Sequence, residues 1–196
     1  VECITTFVSA SHVRGVIPWH LLEQPSIATS VYVENDVMAG FRSNVVNFGI
    51  LNPPCTAQND QLGSSLAAIG DVDADGVADY VLGSPGFGGL GQVACYSGSS
   101  GQLLWVYTGG VASATGRALA NVGDLNGDGR ADVAVGAPSH NSATGQVRIL
   151  NGGTGAVIRT LNGPSEGSFF GQAVASCGDI TGDGVPDLAI GAPGQK

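Results

Sequence analysis

Three short acidic stretches decide the fold of this 196-residue chain. Residues 71–79 read DVDADGVAD, residues 124–132 read DLNGDGRAD, and residues 179–187 read DITGDGVPD. Numbered from its first residue, each stretch follows the pattern D-x-[D/N/T]-x-D-G-x-x-D. The stretches begin 53 and 55 residues apart, at Asp71, Asp124 and Asp179, so they predict an internal structural repeat.

Other anchors keep the same period. A glycine stands eight residues before each stretch, at Gly63, Gly116 and Gly171, and a Gly-Ser-Pro or Gly-Ala-Pro tripeptide follows at 83–85, 136–138 and 191–193. We therefore predict a repeat domain over residues 55–196, with units at about 60–109, 110–164 and 165–196. The third unit is expected to be incomplete, because the sequence stops soon after its tripeptide. Residues 1–54 do not join the repeat, and we assign them no role.

Each complete unit is predicted to contain four short strands. In the first unit these are residues 66–69, 79–82, 93–96 and 103–107, and the 32 glycines of the chain fit the many tight turns between them. Four antiparallel strands in about 50 residues are typical of a propeller blade. We predict an all-β protein built of four-stranded β-propeller blades, in a partial propeller. Cys177 occupies the position of Ile69 and Val122, and is expected to be buried.

The charge of the chain is concentrated in the repeat. Ten of the 16 acidic residues lie in the three stretches, which account for the formal net charge of −9. Seven basic residues scattered along the sequence cannot neutralise a nucleic-acid backbone, so we expect no nucleic-acid partner. No apolar run approaches the roughly 18–20 residues of a membrane-spanning helix, so we expect no membrane insertion.

The spacing of oxygen donors in each stretch predicts a metal site. Side chains at positions 1, 3, 5 and 9 and the carbonyl at position 7 would form an oxygen cage suited to Ca²⁺, which Mg²⁺ fits less well. The predicted ligands are Asp71, Asp73, Asp75, Val77 and Asp79 in the first stretch; Asp124, Asn126, Asp128, Arg130 and Asp132 in the second; and Asp179, Thr181, Asp183, Val185 and Asp187 in the third. The Thr181 hydroxyl replaces a carboxylate, so the third of the three Ca²⁺ sites is expected to be weaker.

Two other interpretations of these stretches were weighed. An EF-hand loop needs a glutamate at position 12, where this chain has Leu82, Val135 and Ile190. Plain Asp-Gly turns would explain one or two polar residues in each copy. They do not explain oxygen donors at four fixed positions in all three, because clustered carboxylates repel one another without a cation.

The repeats resemble FG-GAP repeats, the units of the integrin alpha-chain β-propeller. The motif is present as Phe170-Gly171 with Gly-Ala-Pro at 191–193, and in altered form as Thr115-Gly116 and Leu62-Gly63. The resemblance covers about residues 60–196. It implies a seven-bladed propeller, Ca²⁺ held in the hairpin between the first two strands of a blade, and extracellular recognition or adhesion without catalysis by the repeat itself.

Catalysis has little support in the sequence. There is no Gly-x-Ser-x-Gly motif, and His12, His20 and His140 fall in segments without a pattern. Trp105 is predicted to be a packing residue on an outer strand rather than a platform for a sugar. Cys95 is predicted to lie in a strand, and Cys3 with Cys55 is the one disulfide pairing considered.

We therefore predict a calcium-binding, non-catalytic scaffold at the cell surface or secreted, which binds an extracellular protein or carbohydrate ligand. An oligomer or further repeats of a longer chain would complete the propeller. Two alternatives stay open at this point: an accessory module that positions substrate for a larger secreted enzyme, and a lectin-like sugar binder.

Overall fold

The computed structural model describes residues 60–195, which form an all-β structure of ten strands. The strands are β1 (Ser65–Gly70), β2 (Asp79–Ser84), β3 (Gln92–Tyr96), β4 (Leu103–Thr108), β5 (Ala118–Gly123), β6 (Asp132–Ala137), β7 (Gln146–Leu150), β8 (Val157–Asn162), β9 (Ala173–Gly178) and β10 (Asp187–Gly191). Two short helical turns, Phe87–Gly89 and His140–Ala143, follow the first two Gly-x-Pro tripeptides and were not predicted. Within residues 60–195 no helix has the length and apolar character needed to cross a membrane.

The strands form three antiparallel sheets in sequence order. The first sheet has the order β1-β2-β3-β4 and the second β5-β6-β7-β8, while β9 pairs with β10 in the third. The register is continuous between the second and third strands of each four-stranded sheet, as in β6 and β7, where Val133 pairs with Leu150 and Ala137 with Gln146. The all-β prediction and the four-stranded blades are confirmed, and the blade-like sheets stack with their first strands β1, β5 and β9 side by side.

The second strand of each complete sheet lies at the centre of the core. All residues of β2 and β6 are buried, whereas β1 alternates between exposed and covered positions. The second strand is therefore covered on both faces, whereas β1 has exposed positions along its length. In the second sheet, the first strand β5 lies between β1 and β9 and has no exposed position.

Apolar side chains fill the space between successive sheets. Between the first and second sheets, Ile69 and Val81 pack in one cluster with Val133 and Val135. Between the second and third sheets, Ala120, Val122 and Ala134 pack with Val174, Leu188 and Ile190. In both interfaces, one face of a sheet therefore packs against the opposite face of the next sheet.

The glycines of the repeated motifs let the sheets approach closely. A Cβ on Gly83 would lie 2.1 Å from the carbonyl oxygen of Gly116 in the next sheet, and one on Gly136 would lie 2.1 Å from that of Gly171. Gly116 and Gly171 themselves have φ angles of +86° and +87°, a backbone region that glycine adopts without strain. The two motifs therefore form one contact: the glycine of Gly-x-Pro leaves room for the backbone of the following repeat.

Trp105 joins the first two sheets at their outer edge. Its side chain is 8% exposed, and its indole Nε1–H donates to the Gly152 carbonyl at 2.7 Å. The prediction that Trp105 is a packing residue on an outer strand is therefore confirmed. A buried indole with a satisfied donor is a packing residue and offers no open face to a sugar ring.

Candidate metal centres

Each acidic stretch forms the loop between the first and second strands of a sheet. The aspartate at position 1 organises the turn, because its two carboxylate oxygens accept hydrogen bonds from backbone amides further along the loop. Asp124 accepts from Gly127 and Gly129, both at 2.7 Å, and from Asp128 at 3.2 Å. Asp179 accepts from the three corresponding amides of its own loop, and Asp71 accepts from two of them, those of Asp75 and Gly76. The shared sequence pattern therefore gives one shared loop conformation.

The aspartate at position 9 fixes the loop to the body of its sheet. Asp79 is 1% exposed, and one oxygen accepts from the amides of Val72 at 2.7 Å and Asp73 at 3.3 Å. Its other oxygen accepts from the amide of Gly98, in the hairpin between β3 and β4, at 2.9 Å. Asp132 makes the matching bonds to Leu125 at 2.9 Å and Gly152 at 3.2 Å. In the third loop, Asp187 accepts from Ile180 and Thr181 at exposed positions.

Three of the predicted ligands in the first loop converge on one point. One carboxylate oxygen from each of Asp71, Asp73 and Asp79 lies within 4.8 Å of the other two. Among the described residues 60–195, no such trio of carboxylates forms in the other two loops, where Asn126 and Thr181 replace the carboxylate at position 3. The first loop therefore has the densest negative charge.

The aspartate at position 5 of each of the first two loops is held by the hairpin between the third and fourth strands of its sheet. Ser97 donates to Asp75 at 3.2 Å, and Ser99 donates to the same carboxylate oxygen. In the second sheet, the amide group of Asn151 donates to Asp128. Ser97 and Asn151 occupy equivalent positions 54 residues apart and are both buried. Neither residue was predicted as part of the site, although each is a polar residue just before one of the paired Gly-x-x-Gly stretches, at 98–101 and 152–155.

Hydrogen bonding and burial shift the pKa values of the loop aspartates in opposite directions. The Ser99 hydroxyl and the Val77 amide hold the pKa of Asp75 below its usual value, and the side chains of Asn126 and Asn151 do the same for the pKa of Asp128. Burial raises the pKa of Asp132, despite its bonds to backbone amides. The exposed carboxylates therefore favour the ionised form, while the buried Asp132 lies where its negative charge is poorly solvated.

The remaining candidate residues lie apart from the loops. Cys95 is buried in β3, as expected, and burial raises its pKa to about 12. Cys177 is exposed, so its predicted burial is wrong: within residues 60–195 no further sheet covers its face of β9. His140 lies half-buried at the start of a helical turn. His12, His20, Cys3 and Cys55 lie outside the described residues.

Comparison with known proteins gives the family of the repeats. The FG-GAP repeat model matches residues 115–150 and 170–196. The chain is 33% identical to integrin alpha-V of Gallus gallus over 153 residues, which cover 72% of this chain and 15% of that protein. It is 32% identical to integrin alpha-4 of Xenopus laevis over 155 residues, 69% of this chain and 15% of that protein. The chain thus spans about 15% of the length of these relatives.

A solved structure with a weaker likeness is a rhamnogalacturonan lyase of Bacillus licheniformis. It has a TM-score of 0.36 and 20% identity, and the match covers 53% of this chain and 24% of the lyase chain. At that TM-score the likeness carries no functional argument. The family match and the integrin similarity agree with the repeated loops, the tripeptide glycines and the stacked sheets. The chain is therefore an FG-GAP repeat protein whose repeats are similar to those of integrin alpha chains.

Proposed function

We propose that the repeat region is a calcium-stabilised, extracellular β-propeller scaffold that binds a protein or carbohydrate ligand and does not itself catalyse a reaction. The observation that carries this proposal is the convergence of Asp71, Asp73 and Asp79 in a loop whose pattern recurs twice. Calcium would be held by the side chains at positions 1, 3, 5 and 9 and the carbonyl at position 7 of each loop. The loops then act as rigid connections between the first two strands of each blade.

The dimensions of the first loop support a shared cation. Oxygen ligands of Ca²⁺ lie about 2.3–2.6 Å from the ion, so two of its ligands are at most about 5 Å apart. The 4.8 Å limit on the oxygens of Asp71, Asp73 and Asp79 falls within that distance. The donors are oxygens throughout, which favours a hard cation over a soft transition metal.

The buried carboxylate of Asp132 gives a second reason for a cation in the second loop. The pKa of Asp132 is raised by burial and, to a lesser degree, by the negative charges of Asp128 and Asp124. A divalent cation in the loop would reverse both effects, because it compensates the buried charge and screens the repulsion between carboxylates. A bound cation would therefore stabilise the ionised form of Asp132 in the second loop.

The location and partners follow from the calcium proposal and the family. Calcium-binding extracellular modules bind at about 10⁻⁴–10⁻³ M, a concentration reached outside cells and not in the cytosol. Similarity to part of the integrin alpha chains supports a place at the cell surface or in secreted material. We assign ligand binding to the loops at the ends of the blades, because loops on a rigid scaffold are common recognition surfaces.

Calcium is expected to raise the melting temperature of the whole chain. With 1 mM free Ca²⁺ and these affinities, each site stabilises the fold by about 0.4–1.4 kcal/mol. Three sites then raise the melting temperature by about 3–15 °C relative to a sample in chelator. The measurement is a pair of thermal unfolding curves, with the number of bound ions counted by native mass spectrometry.

Matched variants separate site binding from a general charge effect. Asp71→Asn with Asp73→Asn removes two carboxylates of the first loop and is expected to lower the ion count by one. Glu166→Gln removes one exposed carboxylate outside the loops and is expected to leave the count unchanged. Equal melting curves in calcium and chelator, with no bound ion, would contradict the proposal.

Asn151 is expected to act on calcium affinity through Asp128, which it hydrogen-bonds from the neighbouring hairpin. Groups that orient a metal ligand in this way typically change metal affinity by about 10–100-fold when removed. We therefore expect Asn151→Ala to weaken calcium binding at the second loop about 10-fold by calorimetric titration. Asn151→Ser, which installs the residue found at position 97, is expected to recover most of the affinity. Identical affinities for all three proteins would exclude this role.

A further inference from the structure

Arg130 gives the second acidic loop a different charge balance from the other two. The first loop, residues 71–79, carries four aspartates and no basic residue, whereas the second, residues 124–132, carries three aspartates and Arg130. Position 7 is valine in the first and third loops, at Val77 and Val185. The second loop is therefore the one acidic loop that contains its own positive charge.

The Arg130 side chain lies against the hairpin that holds Asp128. A Cβ on Gly153, in that hairpin, would lie 2.6 Å from the Nη1 atom of Arg130 and 2.9 Å from its Cδ atom, so the side chain fills the space beside this glycine. Two residues earlier in the same hairpin, Asn151 donates to the Asp128 carboxylate. The backbone amide of Arg130 also donates to Asp128, at 2.9 Å. The half-buried Arg130 is therefore fixed on the side of the loop where Asp128 meets the hairpin.

The first sheet has a different arrangement at the same two positions. Val77 corresponds to Arg130, and Ser99, which donates to Asp75, corresponds to Gly153. A serine hydroxyl thus supports the position-5 aspartate in the first sheet, while in the second a glycine leaves room for a cationic side chain. The two differences belong together, because a larger residue at this glycine would collide with Arg130.

We propose, building on the calcium sites of the proposed function, that Arg130 is a permanent counter-charge of the second loop: it stabilises the loop carboxylates when no calcium is bound, and it lowers the calcium affinity of this loop. A guanidinium stays charged at any physiological pH, so it offsets part of the repulsion between the aspartates. The same charge repels an incoming divalent cation, and salt screens a half-buried charge only in part. The second loop thereby depends less on calcium than the first, where no basic residue balances the four carboxylates.

Calcium titration of Arg130 variants tests this role. The full chain carries D71N, D73N and D183N, which remove carboxylates from the first and third loops, so that the second loop dominates the calorimetric signal. Arg130→Gln keeps a polar side chain without the charge, and we expect it to bind calcium about 3–10-fold more tightly than this parent at low ionic strength. Arg130→Lys keeps the charge and is expected to stay within about 2-fold of the parent.

Salt and a matched variant separate the effect of charge from that of packing. The gain in affinity of R130Q should fall below about 2-fold in about 1 M salt, because the Debye length shortens from about 10 Å at 0.1 M to about 3 Å at 1 M. Arg159→Gln removes an exposed positive charge on β8 of the same sheet and is expected to leave the calcium affinity within about 2-fold of the parent. Equal affinities for the parent, R130Q and R130K would overturn the proposal, as would a gain in R130Q that persists at high salt.

The ion-free form of the 196-residue chain gives a second readout, which does not depend on calcium binding. In chelator at low ionic strength, R130Q is expected to lower the melting temperature by about 1–4 °C, because the loop loses its counter-charge, while R130K is expected to stay close to the unchanged chain. An unchanged melting temperature of R130Q would overturn the counter-charge role. A chain that binds no calcium at any loop, but is destabilised by R130Q in chelator, would contradict the proposed function and still support that role.

Discussion

Replacing Gly136 with alanine is expected to lower the free energy of unfolding by about 3 kcal/mol, the upper part of the range for overpacked cores. The new methyl carbon would lie 2.1 Å from the carbonyl oxygen of Gly171 and 3.1 Å from its carbonyl carbon. These are backbone atoms, and Gly171 is also tied to its own sheet by its amide, which donates to Gly191 at 3.0 Å. Neither sheet can relieve the overlap by a rotamer change, so the second and third sheets must separate.

Gly191 provides the matched control for this substitution. It occupies the same place in the third repeat, but an added methyl group there meets only Ala173, at 3.4 Å. We expect Gly191→Ala to change the free energy of unfolding by no more than about 0.5 kcal/mol. Both variants are compared by urea unfolding in chelator, so that calcium does not contribute. Similar effects at the two positions would mean that the contact between sheets does not explain the repeated glycine.

The local structure of the repeat could be predicted from the sequence because its signals are local. The acidic loops lie between two strands, as their Asp-Gly pattern indicates, and the predicted second strand from Asp79 begins where the structure places it. Turn residues and short apolar runs act within a few residues of themselves. Because the units repeat at a nearly constant spacing, the strands predicted for one unit also gave the strands of the others.

The contacts between repeats could not be predicted in the same way. The repeat pattern identified Gly136 and Gly171 as repeated positions. It did not indicate that the two glycines contact each other, because they belong to successive units. The burial of Cys177 was predicted wrongly for the same reason: equivalence with Val122 gives its place in the sheet, whereas exposure depends on whether another sheet covers it. Asn151 was missed because it reaches Asp128 from a different hairpin.

The candidate metal ligands remain predictions that rest on pattern and geometry together. Within the first loop, the side chains of Asp71, Asp73 and Asp79 converge as the spacing indicated, while Asp75 is turned toward Ser97 and Ser99. The alternate spacing of oxygen donors along the loop suggested that they converge on one metal ion. It could not indicate which carboxylates would be hydrogen-bonded by the neighbouring hairpin. The supporting hydroxyl and amide groups therefore belong to any account of the site.

Replacing Asp79 with alanine is expected to lower the free energy of unfolding by about 3–4 kcal/mol even in chelator. The carboxylate is 1% exposed and accepts from the amides of Val72, Asp73 and Gly98, which join the loop to the hairpin of the same sheet. Alanine leaves these donors without an acceptor, and each buried unsatisfied group costs about 1–3 kcal/mol. The measurement is urea unfolding followed by circular dichroism.

Asp187→Ala is the matched control, because Asp187 also stands at position 9 and accepts from two amides, at 2.7 and 2.9 Å. The donors Ile180 and Thr181 are exposed, so water can replace the carboxylate, and we expect a loss of no more than about 1 kcal/mol. Asp79→Asn should recover part of the stability, since an amide oxygen can accept on one side while the NH₂ group faces a donor on the other. A large loss at Asp79 in chelator, with a small one at Asp187, would mean that the buried carboxylate at position 9 stabilises the hairpin even without a bound ion. Equal small losses at both positions would instead mean that position 9 matters only through the metal.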